Sequence, residues 1–274
     1  MGQRLGQHFL SRQAWRERIA RLVLSPDSIS SRATTWIEIG AGHGEMTALI
    51  AKNASRLVTI ELDEPLLPGL RELANKLGNV SVVSGDVLSF NLAELARGHS
   101  FRVYGNIPYY ISSPIVHHLF ENPDKLEAAF LVVQLEVAER LAAKPGGRAY
   151  GYLSAFTQFY ARSEILLRIP PGAFRPPPKV DSALVALRSR GERATLGIRN
   201  EPAFIDFLKT CFSQKRKMLR NNLRSLAPNH HAELILEECS IRLDARAEQL
   251  GLAEMACIFR HLQKEDPIPQ TSEQ

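Results

Sequence analysis

Short runs of β-branched and apolar residues alternate with helical stretches through the first two thirds of this 274-residue chain. Strands that alternate with helices form parallel sheets, because each crossover returns the chain to the same edge. The alternation therefore predicts an α/β fold around a parallel sheet. The expected strands are Thr35–Ile39, Leu57–Leu62, Val80–Val83, Phe101–Gly105 and Ala129–Val133.

Two later strands break this alternation. Glu164–Ile169 and Ala183–Leu187 have no helix between them, and the proline-rich run Pro170–Pro178 joins them instead. Neighbouring strands without a crossover pair antiparallel. We therefore expect an antiparallel hairpin at one edge of the sheet.

The composition changes after Arg188. The polar stretch Ser189–Asn200 predicts a linker, and beyond it apolar residues recur every three or four positions, as in helices. The chain is long enough to bury a sizeable core. We predict an α/β domain over residues 1–190, a small all-α domain over residues 191–263 and a mobile tail over residues 264–274.

Three cysteines, Cys211, Cys239 and Cys257, are an odd number without a C-x-x-C spacing. They predict reduced thiols in a cytoplasmic protein rather than a disulfide framework or a metal site. The N-terminus lacks the apolar core of a secretory signal, and the longest apolar runs are too short to span a bilayer. We therefore expect a cytoplasmic protein with no membrane association and no bound metal.

A glycine-rich turn, E-I-G-A-G-H-G-E-M-T over Glu38–Thr47, follows the first predicted strand. Gly40 lets the backbone come close to a ligand, although the turn alone also fits a tight strand-to-helix corner. Glu61 lies 61 − 40 = 21 residues beyond Gly40, at the end of the second strand. A carboxylate there accepts hydrogen bonds from both hydroxyls of a ribose, so the two features together predict a nucleoside ligand.

The next two strand ends carry further candidates. Asp86 is placed to accept from an adenine amino group, although an isolated aspartate is more often a turn or helix cap. In N-I-P-Y, the oxygen of Asn106 and a neighbouring carbonyl can accept from an exocyclic amine. Pro108 stiffens that loop, and the ring of Tyr109 offers a stacking face for a purine. The alternative is a proline turn with an aromatic anchor in the core.

Taken in order, these motifs resemble those of class I S-adenosylmethionine-dependent methyltransferases, which have a Rossmann-like sheet. More closely, the sequence is similar to the family of ribosomal RNA adenine N6,N6-dimethyltransferases of the small subunit. The resemblance implies dimethylation of N6 in two adjacent adenosines of the 3′-terminal hairpin of 16S rRNA, with S-adenosylmethionine as methyl donor and a role in small-subunit biogenesis. It runs from G-Q-H-F-L at Gly6–Leu10, through A-F-R-P-P-P-K-V-D-S-A-L-V at Ala173–Val185, to F-S-Q-K-R-K-M-L-R-N-N-L at Phe212–Leu223.

Site residues follow from the same resemblance. Phe174 matches an aromatic residue that sandwiches the target base against Tyr109, and a core phenylalanine beside a proline-rich turn is the alternative. The implied cofactor contacts are His8, Leu10, Gly40, Glu61, Asp86 and Asn106. The implied catalytic loop is Asn106, Ile107, Pro108 and Tyr109.

Three positions depart from the family pattern. His8 and Tyr110 stand where many relatives have Asn, and Leu135 stands where a basic residue is common. The changes at His8 and Leu135 predict altered hydrogen bonding to the cofactor and a weaker RNA contact. The chain also begins close to its first motif, so we expect part of a basic RNA-contacting arm to be absent.

A basic run between Lys209 and Arg224, which contains no acidic residue, is independent evidence for an RNA partner. Such a face suits phosphates, although a solvated helix face is the common alternative. We expect a monomer that binds the small ribosomal subunit. The predicted substrate-binding residues of this run are Lys215, Arg216, Lys217 and Arg220.

Three other functions share parts of this pattern. A 23S rRNA adenine N6-methyltransferase of the antibiotic-resistance type shares N-I-P-Y, but the P-P-P-K-V-D-S run and the basic helix favour the small-subunit type. A non-catalytic nucleic-acid-binding relative, like the mitochondrial transcription factors of this family, would not need the intact loop Asn106–Tyr109. A small-molecule methyltransferase would not need a basic helical domain.

Overall fold

The structure, a computed structural model, divides into two compact units. One comprises residues 1–139 with 162–189, and the other comprises residues 140–161 with 190–274. This division differs from the expected boundary at residue 190, since residues 140–161 pack with the second unit. The rings of Phe159 and Phe204, for example, lie 5.2 Å apart. The described residues are 8–25, 35–214, 217–224, 226 and 231–265.

The strands are β1 (Phe9–Leu10), β2 (Thr35–Ile39), β3 (Arg56–Glu61), β4 (Val80–Ser84), β5 (Phe101–Asn106), β6 (Leu126–Gln134), β7 (Arg162–Ile169), β8 (Phe174–Arg175) and β9 (Ser182–Arg188). The main sheet has the order β4-β3-β2-β5-β6-β9-β7, and β1 pairs with β8. Strands β2 to β6 pair parallel, whereas β9 runs antiparallel to both β6 and β7. The predicted α/β fold with an antiparallel edge hairpin is confirmed.

The helices are α1 (Gln13–Val23), α2 (Glu45–Ala51), α3 (Leu67–Leu77), α4 (Leu92–Leu95), α5 (Ser112–Leu119), α6 (Leu135–Leu141), α7 (Tyr152–Tyr160), α8 (Glu201–Phe212), α9 (Leu219–Leu223), α10 (His231–Glu238) and α11 (Leu252–Glu265). None of the helices in the described residues has the length and apolarity needed to cross a membrane. Of the predicted tail, residues 264 and 265 complete α11, and residues 266–274 lie outside the described residues.

The core of the first unit surrounds the central strands of the sheet. All five residues of β2 are buried, and Trp36 on β2 stacks on Phe130 of β6 with ring centroids 6.0 Å apart. Burial on both faces explains why these strands are nearly continuous apolar runs. Because β2 to β5 are parallel, their carboxyl ends meet at one edge of the sheet, where α/β proteins bind ligands.

The second unit is helical and has an aromatic core. The ring of Phe204 on α8 lies 5.9 Å from Phe207 and 5.3 Å from Phe259 of α11. The buried amide of Asn222 on α9 donates to the carbonyl oxygen of Cys211 on α8 at 2.7 Å. The contact between Phe204 and Phe259 joins α8 to α11, which are far apart in sequence, and the bond from Asn222 joins α9 to α8.

The expectation of three reduced thiols is wrong for two of them. Cys239 and Cys257 are joined by a disulfide bond, with their Cα atoms 5.9 Å apart. The bond is not visible in the spacing, because it depends on the packing of the end of α10 beside α11. Cys211 is a free, buried thiol.

Candidate active site

A cleft opens at the carboxyl edge of the parallel strands and lies within the first unit. It holds about 780 Å³ of space, part of it open to solvent. Residues from the ends of β2, β3, β4 and β5 line it, together with His8 and Phe9 from the N-terminal segment. The cleft thus brings together the strand-end motifs that the sequence placed far apart.

The glycine turn after β2 forms one wall. Gly40 and Gly42 have φ angles of +70° and +60°, in the left-handed region that favours glycine. A Cβ atom on Gly42 would lie 3.0 Å from the ring of Phe9, which is closer than side chains normally pack. The turn therefore presents bare backbone to the cleft, as the sequence predicts for a close-approaching ligand.

Glu61, at the end of β3, is only 3% exposed. Its Oε2 accepts from the backbone N–H of Gly42 at 2.8 Å, and its Oε1 accepts from the N–H of Asp63 at 2.9 Å. A carboxylate has about four acceptor positions, so each oxygen retains capacity for a further donor. Glu61 therefore ties the glycine turn to β3 and still faces the cleft, a structural role that the sequence did not reveal.

Asp86, after β4, both lines the cleft and caps a short helix. It is exposed and lines the cleft. Its Oδ1 accepts from the N–H of Leu88 at 3.0 Å and caps the short 3-10 helix Val87–Ser89. The cap fixes the carboxylate in place, since Asp at such a position binds a free backbone N–H.

The loop after β5 positions Asn106 and Tyr109. The Nδ2 of Asn106 donates to the carbonyl oxygen of His8 at 2.7 Å, so the amide oxygen is the acceptor that it can offer to a ligand. Ile107 is buried, and its backbone N–H donates to Val132 of β6 at 3.0 Å. The loop is thereby attached to the sheet on one side and to the N-terminal segment on the other.

The phenol of Tyr109 is fixed at both its oxygen and its ring. Its hydroxyl shares a 2.7 Å hydrogen bond with Ser182, and its ring stacks on His8 with centroids 5.4 Å apart. Burial raises the pKa of Tyr109 above its ordinary value, although the bond to Ser182 acts in the opposite direction. Tyr109 is therefore neutral at ordinary pH, while Tyr110 at the rim is 64% exposed.

The N-terminal segment is held over the cleft by the pairing of β1 with β8. Phe9 lies opposite Arg175, and the Nδ1 of His8 donates to the carbonyl oxygen of Pro176 at 2.7 Å. The partner of Leu10 in this pairing is Phe174. Neither of these two side chains lines the cleft, but Leu10 lines a smaller cavity beside the glycine turn, and Phe174 is only 2% exposed, within the hydrophobic core. The structure therefore places Phe174 where the core alternative expects it.

A smaller cavity of about 350 Å³ lies beside the glycine turn and contains residues to which the sequence assigned no role. Glu38 is 1% exposed, and its Oε2 accepts from Thr47 at 2.5 Å and from Thr59 at 2.6 Å. Burial raises the pKa of Glu38 to about 7 despite these bonds. The buried hydroxyl of Tyr104, in the same cavity, has no hydrogen-bond partner among the described residues. An acidic residue in the middle of an otherwise apolar strand is the sequence feature that could have identified Glu38.

The basic run is only partly free of counter-charges. Lys209 pairs with Asp206 at 2.9 Å, and Arg224 lies 3.6 Å from Glu233. Lys217 is exposed, and the Nε of Arg220 is a buried donor without a partner among the described residues. The predicted contacts Lys215 and Arg216 lie outside the described residues.

Comparisons with known proteins agree along nearly the whole chain. The family model described as ribosomal RNA adenine dimethylase matches residues 2–264. A ribosomal RNA small subunit methyltransferase A from Acidobacterium capsulatum is 41% identical over 95% of this chain and 90% of its own length. The protein of the same name from Koribacter versatilis is 37% identical over 95% of this chain and 94% of its own length.

Solved structures show the same fold. A dimethyladenosine transferase from Plasmodium falciparum superposes with a TM-score of 0.78 at 24% identity, covering 94% of this chain and 98% of its own. The 23S rRNA methyltransferase ErmE superposes with a TM-score of 0.71 at 26% identity, covering 93% of this chain and 99% of its own. The likeness extends through both units.

Proposed function

Because the chain belongs to the ribosomal RNA adenine dimethylase family, we propose that it transfers two methyl groups from S-adenosylmethionine to N6 of each of two adjacent adenosines in the 3′-terminal hairpin of 16S rRNA. The chain is an rRNA methyltransferase; the donor, the two target bases and their place in the RNA are the proposal. The main observation that supports this proposal is that the Asn106–Tyr109 loop faces the same cleft as Gly40 and Glu61, which form one of its walls. A methyl donor on that wall and an amine at that loop would meet.

The cleft fits S-adenosylmethionine in the chemistry of its donors and acceptors. We assign the ribose hydroxyls to Glu61 and the adenine amino group to Asp86, since both carboxylates are fixed by backbone bonds and keep acceptor capacity. The amino-acid end is assigned to the cavity with Glu38, where the hydroxyl of Tyr104 lacks a partner among the described residues.

When bound, S-adenosylmethionine supplies a sulfonium methyl group that is already an electrophile. The protein must therefore activate the other reactant, an adenine amine whose lone pair is delocalised into the ring. Asn106 is oriented by its bond to the His8 carbonyl, so its oxygen accepts from N6–H and favours the pyramidal amine. The proton leaves to solvent after transfer.

The target base is assigned to the Tyr109 ring. His8 already stacks on one face of that ring, so the adenine takes the opposite face. The bond from Tyr109 to Ser182 holds the ring in place while the base enters. We assign no stacking role to Phe174 in this arrangement, because its side chain is buried in the core.

RNA binding is assigned to the second unit through Lys217 and Arg220, together with Lys215 and Arg216. The exposure of Lys217 supports this, since a phosphate can reach its ammonium group. We further propose that the enzyme acts as a cytoplasmic monomer on the small ribosomal subunit during its biogenesis. The name shared by its relatives, ribosomal RNA small subunit methyltransferase A, supports the small-subunit RNA as substrate.

Methylation of undermethylated ribosomal subunits tests this function. Small subunits and, separately, large-subunit RNA are incubated with the enzyme and labelled S-adenosylmethionine, and methylated adenosines are mapped by mass. We expect two dimethyladenosines near the 3′ end of 16S rRNA. Label in the large-subunit RNA alone would instead support the antibiotic-resistance type, and no label in either would leave a binding protein.

A further inference from the structure

The second unit brings two sulfur atoms and an imidazole together. In the sequence, the residues that carry them lie far from those that line the cleft. Cys239 directly follows α10, and Cys257 and His261 lie four residues apart on one face of α11. Their ligand atoms all lie within 4.8 Å of one another, and each residue is partly exposed. Nothing in the proposed methylation uses this cluster.

The distances match a tetrahedral metal site. The Nδ1 of His261 lies 3.6 Å from Sγ of Cys239 and 3.8 Å from Sγ of Cys257. With Zn–S bonds of about 2.3 Å and a Zn–N bond of about 2.1 Å, tetrahedral S and N ligands are separated by about 3.6 Å. The two sulfur–nitrogen distances therefore already match those of a zinc site, whereas the two sulfur atoms are joined by the disulfide bond.

The other ring nitrogen of His261 has the partner that metal-binding histidines usually have. Its Nε2 lies 3.3 Å from Oε2 of Glu238 at the end of α10. A carboxylate on the far nitrogen fixes the ring and makes the near nitrogen a better ligand. In the disulfide form Nδ1 also lies 3.0 Å from the carbonyl oxygen of Cys257, to which it donates. Metal binding requires the proton on Nε2 instead, where Glu238 accepts it.

We propose that the chain with its disulfide reduced binds Zn²⁺ through Cys239, Cys257 and His261, with Glu238 as a positioning residue. A set of two thiolates and one imidazole is suited to zinc. The fourth position is taken by water. The bound ion joins the end of α10 to α11, so it stabilises the helical unit in place of the disulfide.

Formation of the zinc site takes two steps, reduction of the disulfide and then binding of the metal. A dithiol reductant, of the kind that keeps cytoplasmic thiols reduced, gives two electrons and two protons to the S–S bond and becomes a disulfide itself. Zn²⁺ then replaces the two thiol protons, which leave to solvent, and the lone pair of His261 Nδ1 forms the third bond. The first step rests on the proposed cytoplasmic location, whereas the test below supplies its own reductant.

The test is a titration of Co²⁺, followed by Zn²⁺, into the full, untagged chain reduced with a phosphine and kept free of oxygen. We expect one Co²⁺ per chain, with the thiolate charge-transfer and visible bands of a tetrahedral site, and displacement by Zn²⁺. Cys257→Ser and His261→Ala should each weaken Co²⁺ binding by at least about tenfold. Cys211→Ala is the matched control, because that thiol is buried outside the cluster, and it should bind as the wild type does.

Glu238 is tested by the conservative change. Glu238→Gln should weaken Co²⁺ binding by about tenfold to a hundredfold without changing the tetrahedral spectrum, and Glu238→Asp should restore part of the affinity. A merely structural glutamate would not show this pattern.

Comparison of the reduced and the oxidised wild type needs no variant and so does not depend on how the variants fold. The oxidised chain should bind no Co²⁺ at this site. Equal Co²⁺ binding by both forms, or reduced wild type that binds no better than Cys257→Ser, would overturn the zinc site. Because no RNA and no methyl donor are present, this result is independent of the proposed methylation.

Discussion

At the residue scale, Glu61 illustrates how a buried carboxylate both builds the cleft and lines it. Its two oxygens bind the backbone N–H groups of Gly42 and Asp63. Removing the carboxylate therefore affects the glycine turn as well as any ribose bound there. A test of Glu61 must separate these two effects.

Glu61→Ala should weaken S-adenosylmethionine binding by about 1.5–3 kcal/mol, because hydrogen bonds to a charged acceptor are removed. Calorimetric titration measures the affinity, and urea unfolding measures the accompanying loss of stability. Glu72→Ala, at an exposed glutamate on α3 whose partner is Lys76, is the control and should leave binding unchanged. Unchanged affinity in a folded Glu61→Ala would exclude the ribose assignment.

Substitutions of Asn106 and of Tyr109 should have different kinetic effects. Asn106→Ala should lower the single-turnover rate strongly with little change in RNA affinity, because its oxygen acts most in the transition state. Tyr109→Ala should cost about 1–3 kcal/mol of base stacking. Tyr109→Phe keeps the ring but loses the bond to Ser182, so it should retain most of the activity.

Single-turnover methylation of small subunits gives these rates, and circular dichroism checks that each variant is folded. A normal rate in folded Asn106→Ala would contradict the amine-positioning role and favour a binding protein. A Tyr109→Phe variant as impaired as Tyr109→Ala would place the importance of Tyr109 in its hydroxyl rather than its ring.

Glu38 predicts a pH dependence of stability. Burial raises its pKa from 4.5 to about 7 in the folded chain, so the folded state binds more protons than the unfolded state between these values. The contribution is present below the unfolded pKa and is lost as the pH rises through the folded one. Relative to Glu38→Gln, the free energy of unfolding of the wild type should fall by roughly 2–3 kcal/mol from about pH 5 to about pH 8.

Urea unfolding of the protein without cofactor, at a series of pH values, measures this difference. Glu72→Gln serves as the control, since that carboxyl group is exposed and its pKa is lowered by Lys76. Parallel pH curves for wild type and Glu38→Gln would mean that Glu38 is ionised in the fold.

At the element scale, the two-residue strands β1 and β8 decide the shape of the cleft. Their pairing places Phe9 against the glycine turn and His8 against Tyr109. So short a pair gains little from its own hydrogen bonds. Burial of Leu10 and Phe174 in the core stabilises it instead.

Gly42→Ala tests the contact between this element and the turn. Gly42 and Gly98 both have positive φ, at +60° and +72°, so alanine strains both. Only at Gly42 would the new Cβ meet a neighbour, the ring of Phe9 at 3.0 Å, whereas none lies within 4 Å at Gly98. Both variants should lose about 1–2 kcal/mol of stability, but only Gly42→Ala should also weaken binding of the methyl donor, as calorimetry would report. Equal donor affinity in the two variants would show that the cleft tolerates a displaced Phe9.

At the scale of the whole molecule, RNA binding is assigned to the second unit and methyl transfer to the first. Neutralising Lys215, Arg216 and Lys217 together should weaken RNA binding and leave donor affinity intact. The slope of log affinity against log salt should become shallower by roughly 0.7–0.9 for each phosphate that the variant no longer binds. The matched control neutralises three exposed lysines of the first unit, Lys52, Lys76 and Lys125. The same slope in wild type and in the second-unit variant would make the basic run a solvated surface.

Sequence patterns alone predicted the parallel sheet, its antiparallel edge and the position of the acids and amide at the strand ends. They succeed because alternation, turn glycines and strand-end residues express local geometry. Glu61, Asp86 and the Asn106–Tyr109 loop follow parallel strands, and parallel strands deliver their ends to one edge whatever lies between them. The family resemblance added the chemistry that we propose for these residues.

Only the tertiary structure decided which distant residues complete these sites. His8 reaches Asn106 across 98 residues of chain, Leu10 pairs with Phe174, and Cys239 meets Cys257. None of these contacts has a periodicity or a fixed spacing, since each depends on how finished elements pack. The same packing buries Phe174 in the core, and residues 140–161 pack with the second unit rather than the first. Both follow because apolar side chains are stabilised wherever the folded chain removes them from water.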